Sequence, residues 1–128
     1  MIDEKLKKKA IKYNSNEKFI IARRARQTLN FIVKNTESFP MKYVVLKNNI
    51  ISEAYSMLRN IYKANILQEM NDKKEIIVNI EMLNYYLDEA LRKGILTKKK
   101  FLNYVKFLYE IDRMVRVWIV NEKSRTII

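Results

Sequence analysis

Apolar residues recur at helical spacing in four stretches of this chain, with short polar breaks between them. In the first, Ala22, Ala25, Leu29, Ile32, Val33 and Thr36 fall on one face. Ser15 or Asn16 is placed to cap this helix, with Glu17 near the positive end of its dipole. It should end near Ser38, because Pro40 disfavours a helical Phe39. A second helix is predicted from near Met41 to about Met70, with Leu46, Ile50, Ala54, Met57, Leu58, Ile61 and Ala64 inward. Met70-Asn71-Asp72 reads as the next break, and Asp72 as an N-cap. The third helix carries Ile76, Ile80, Leu83, Leu87 and Ala90 and stops at Gly94, where a left-handed residue is expected. Thr97 caps a fourth, whose apolar face is Phe101, Val105, Leu108, Ile111, Val115, Trp118 and Ile119; from Asn121 the tail is expected to fray. Rods of this length joined by short loops predict an all-α fold, an antiparallel up-down four-helix bundle over residues 15–128, preceded by a basic arm at 1–14.

Composition narrows the class. The 128 residues contain one glycine and one proline, too few turn formers for a β-rich fold. Histidine and cysteine are both absent. That removes Ser-His-Asp and Cys-His catalysis, structural zinc and disulfides. A lone glycine removes every glycine-rich phosphate loop. The carboxylates do not compensate: Glu110 and Asp112, two apart, do not share a helix face, and neither do the adjacent Asp88 and Glu89. No enzymatic activity, cofactor or metal is expected. No long apolar run follows the lysines of Met1 to Ala10, so neither a secretory leader nor a membrane span is expected, and the expected compartment is the cytoplasm.

Charge changes the picture most. Lys and Arg number 26 against 14 Asp and Glu, a net of +12 with a pI near 9.9. So basic a small domain is expected to attract polyanions, nucleic acid first. On an ideal helix, Arg26 lies at about −60° from Arg23 and Lys34 at about +20°, on the solvent face. From Lys106, Arg113 lies at about −20°, Arg116 at about −80° and Lys123 at about −100°, again one stripe. Lys98, Lys99 and Lys100 cluster at its N-terminal end, against the helix dipole. These ten residues are the candidate nucleic-acid contacts. The third helix is acidic, and Lys73 and Lys74 within it are expected to contribute little to polyanion binding. Ordinary solvation of charged faces is the alternative reading. Tyr85, Tyr86, Tyr104, Phe107 and Tyr109 could stack on unpaired bases. The favoured reading of the apolar excess on the fourth helix is a subunit interface, with Tyr104, Phe107, Met114 and Trp118 as its candidates.

Three strings carry a resemblance. Asn35-Thr36-Glu37-Ser38-Phe39-Pro40 ends the first helix; Gly94-Ile95-Leu96-Thr97 makes a turn; Glu110-Ile111-Asp112-Arg113-Met114-Val115-Arg116-Val117-Trp118-Ile119 closes the chain. With the second-helix pattern, their order and spacing resemble the accessory variability determinant family of diversity-generating retroelements over about residues 16 to 123. Proteins encoded within ribosomal RNA intervening sequences are related to it. The resemblance implies a homopentameric barrel with a basic surface that binds a reverse transcriptase and its template RNA, or RNA/cDNA. Where the family's closing block has glycines, this chain has Asp112, Arg116 and Val117. Where its third helix often has arginines, Asn84 and Asp88 stand. The rival reading is an oligomeric scaffold that docks an acidic protein partner without binding nucleic acid.

Overall fold

A computed structural model describes the backbone of residues 19–126 and the side chains of residues 19–122. Four helices, α1 (Ile20–Thr36), α2 (Val44–Leu67), α3 (Met70–Arg92) and α4 (Lys98–Thr126), form an antiparallel four-helix bundle. Each helix packs on its two neighbours: α1 on α2, α2 on α3, α3 on α4, and α4 back on α1; the backbones of the diagonal pairs stay apart. The described residues contain no strand. The expected basic arm at 1–14, and the caps Ser15 and Asn16, lie outside the described residues. Among the described residues no helix is long and apolar enough to cross a membrane.

The helix ends follow local chemistry. Phe19 is extended and immediately precedes Ile20, the first residue of α1. It stops at Thr36, two residues before the expected Ser38. There the Phe39 N–H bonds back to the Thr36 carbonyl, and Pro40 leads into a single 3-10 turn at Met41–Tyr43. The α2–α3 break falls at Gln68 and Glu69, earlier than the sequence pattern suggested. Gln68 adopts a left-handed conformation (φ +53°), and its N–H bonds to the Ala64 carbonyl. Asp72 therefore sits inside the first turn of α3 rather than at its N-cap. Gly94 has φ +75° and closes α3 as expected. Gly94 N–H donates to Leu91 and Ile95 N–H to Ala90, the paired bonds of a Schellman ending. The Thr97 hydroxyl accepts the Lys100 N–H at 3.2 Å, capping α4 as expected. Helix α4 continues past Asn121 to Thr126, where fraying was anticipated.

The inward stripes match the predicted ones on α1, α2 and α3, apart from the half-buried Val33 and Leu58. On α4 the buried set is Tyr104, Leu108, Ile111 and Val115, while Phe101, Val105, Trp118 and Ile119 are half-buried. Three buried polar residues on α3 interrupt the apolar core. Asn79 accepts from Asn60 at 2.8 Å and donates to Glu53 at 3.1 Å, tying α3 to α2. Asp72 pairs with Lys63 of α2 at 3.4 Å. Lys73 is almost fully buried. Its ammonium is ion-paired with Glu122 of α4 and lies 4.4 Å from the Trp118 ring centroid. A lysine in the first turn of a helix opposes the dipole. The carboxylate and the indole face of α4 offset that cost.

Candidate nucleic-acid interface

The bundle's closure places the first and last helices side by side. Helix α1 carries four basic residues and no acid; α4 carries eight basic and three acidic, a net of +5. Helix α3, diagonal to α1, carries five acidic and three basic residues, a net of −2. Two basic segments far apart in sequence thus become one edge, and the acidic helix cannot neutralise the α1 side of it.

Most predicted contacts lie on this edge and face solvent. Arg23 and Lys34 on α1 are exposed, and so are Lys98, Lys99, Lys106 and Arg113 on α4. Arg26 and Lys100 are half-buried. Among the described residues no acid pairs with Arg23, Lys34, Lys106 or Arg113. Arg116 differs. Its Nε donates to the Asp112 carboxylate one turn earlier at 2.9 Å, which holds the guanidinium's pKa above its ordinary value and neutralises it locally. Asp112 and Arg116 therefore form an ion pair within the 110–119 string itself. The Lys123 side chain lies outside the described residues. Lys74 is exposed, but Lys73 beside it is a buried structural residue.

The subunit-interface candidates are corrected in one respect. Tyr104 has no exposed surface to offer a partner. Its ring meets Phe31 of α1 edge-on, with centroids 5.0 Å apart, and burial raises its hydroxyl pKa. Phe107 packs on the same Phe31 at 5.2 Å, and Trp118 meets Phe19 at 5.4 Å. Met114 is half-buried and lines the groove between α1 and α4. These side chains point toward the α1 seam, while Leu102, Tyr109, Val117 and Val120 carry the exposed apolar surface of α4.

A groove of about 640 Å³ runs between the start of α1 and the later turns of α4. Ile20, Val117 and Trp118 supply apolar walls, and Tyr109 stands at one side. Arg24 and Arg113 bring a guanidinium from each helix. Arg24 was missed by the sequence reading, which followed the Arg23-Arg26-Lys34 face. Its signal was its position four residues after Ile20, on the side of α1 that turns to α4. Such a volume falls within the range of small-molecule sites, roughly 300–1,000 Å³. No metal-holding cluster of acidic side chains is found among the described residues. No protein-family model and no curated protein matches the chain.

Proposed function

We propose that this protein is a non-catalytic RNA-binding accessory subunit of a diversity-generating retroelement, acting in the cytoplasm as a homo-oligomer, a closed pentamer, beside the reverse transcriptase and its template RNA. The observation that carries RNA binding is the α1/α4 edge, where two strongly basic helices lie side by side with Arg23, Arg24, Lys34, Lys106 and Arg113 unpaired among the described residues. The retroelement assignment rests on the three sequence strings at residues 35–40, 94–97 and 110–119. The absence of histidine and cysteine supports a role without catalysis.

Filter binding at several salt concentrations tests the RNA reading. Each phosphate contact contributes about −0.7 to −0.9 to the slope of log affinity against log salt. Replacing Arg24 and Arg113 with Gln should weaken binding to many RNA sequences and flatten the slope by about 1.5. Lys74→Gln with Arg59→Gln, an equal charge change on α3 and α2, should leave both nearly unchanged. Equal losses from the two pairs would make the attraction diffuse, and no binding at low salt would remove the RNA reading. Co-purification with a neighbouring reverse transcriptase tests the retroelement assignment.

One observation favours the scaffold reading. Leu102, Tyr109, Val117 and Val120 are each more than half exposed along one helix, an apolar stripe among cations that suits an acidic protein partner. Light scattering distinguishes self-association from an isolated monomer.

A further inference from the structure

Deepening the RNA reading, on which this inference rests, we infer that the α1/α4 groove takes an unpaired base, stacked on Tyr109, with Arg24 and Arg113 holding the flanking phosphates, so that the preferred ligand is single-stranded RNA. Of the five aromatics with a possible stacking role, the structure leaves one. Tyr104 is fully buried, and Phe107 is packed on Phe31. Tyr85 and Tyr86 pack on each other on the acidic α3, and the cations beside Tyr85, Arg92 and Lys93, are already paired with Asp88 and Glu89. Tyr109 is 65% exposed on the basic helix and lines a groove that also contains Arg24 and Arg113. Every base has a π-face, so a ring between cations binds single strands with little regard to sequence. The recess also discriminates. Its apolar walls suit an unstacked base, whereas bases inside a duplex are stacked on one another and cannot enter. Glu110, the one acid of the lining, disfavours a phosphate inside the groove and leaves the phosphates to the guanidiniums.

The test uses the full chain and a dye-labelled single-stranded RNA beside its duplex of the same length, read by fluorescence anisotropy. The single strand should bind more tightly. Tyr109→Ala should lose about tenfold on the single strand, within the range for one stacked base, and little on the duplex; Tyr109→Phe should retain most of the affinity. The salt slope should not change in Tyr109→Ala, because no phosphate contact is removed. The chain has one tryptophan, Trp118, and it lines the groove, so single-stranded RNA should quench its emission while inorganic polyphosphate should not. Helical circular dichroism and an unchanged melting temperature show that the variants are folded. Equal affinity for strand and duplex, or an unaffected Tyr109→Ala, would overturn stacking; if Arg24→Gln with Arg113→Gln still weakens binding, the polyanion reading stands alone. A Tyr109→Ala variant that changes oligomeric state and not RNA affinity would give the groove to a second copy of the chain. No RNA binding by the unmodified protein would sink both readings together.

Discussion

Lys73 offers the sharpest stability test, because sequence alone would call it an ordinary surface lysine. Its side chain is 3% exposed, while that of its partner Glu122 is 23% exposed. Lys73→Met keeps the length and helix propensity of the side chain but removes the ammonium that pairs with Glu122. Breaking a fully buried ion pair by removing one member costs about 3–5 kcal/mol. Water reaching Glu122 brings that down to about 1 kcal/mol, near the value for a solvated pair, and loss of the contact over Trp118 adds about 1 kcal/mol. A net loss of about 2 kcal/mol is expected, or a melting temperature lower by about 6–10 °C for a domain of this size. The second variant separates pairing from packing. Lys73→Met combined with Glu122→Met removes both charges, and an apolar replacement of a buried pair is often neutral or stabilising. Urea unfolding of wild type, both single variants and the double gives the coupling energy directly. A Lys73→Met protein as stable as wild type, or a double variant losing the sum of the two singles, would refute the pairing.

Gly94→Ala should cost about 1–2 kcal/mol in urea melts, from left-handed strain alone, since an added Cβ meets nothing within 4 Å. The converse holds at Gln68, which adopts φ +53° without being glycine: Gln68→Gly should stabilise by about 0.5–1 kcal/mol in the same melts. Ala54 is completely buried on α2, so Ala54→Leu should overpack and cost about 1–3 kcal/mol, and an unchanged melting temperature would contradict its burial. Sodium chloride should raise the melting temperature while it weakens RNA binding, because screening relieves repulsion between α1 and α4 and also reduces counterion release; thermal melts and filter binding over one salt series read both signs.

Features set by neighbouring residues were legible in the sequence. Pro40, Gly94 and Thr97 each act through their own backbone or side chain within a turn, and each ends or begins a helix as expected. The stripes of α2 and α3 were legible because a helix buried on one side must repeat its apolar positions. What escaped depends on distant partners. Lys73 and Glu122 are 49 positions apart, and nothing local distinguishes Lys73 from the exposed Lys74 beside it. The α2–α3 break was misplaced because Gln68, a residue with no special turn propensity, takes the left-handed position. On α4, Phe101 and Tyr104 are equally good apolar candidates; Phe31 across the seam decides for Tyr104. The ten candidate cations were found from charge and helical phase alone. Their joining into one edge, the pairing of Arg116 and the part played by Arg24 come from the packing of α1 on α4.

That packing has an electrostatic cost, and the aromatics explain how the fold sustains it. Two helices with net charges of +4 and +5 repel when laid side by side. Most of the described charges are exposed and water-screened, so each like pair costs only a few tenths of a kcal/mol. Along the same seam, Phe31 meets Tyr104 and Phe107, and Phe19 meets Trp118, all edge-on. Each such pair contributes about 0.5–1.5 kcal/mol beyond its buried area. Three pairs therefore outweigh several repulsive ones, and rings rather than charges hold α1 on α4. A seam held by salt bridges would have consumed its own cations. A seam held by rings leaves Arg23, Arg24, Lys106 and Arg113 without an acidic partner among the described residues, as the proposed polyanion site requires.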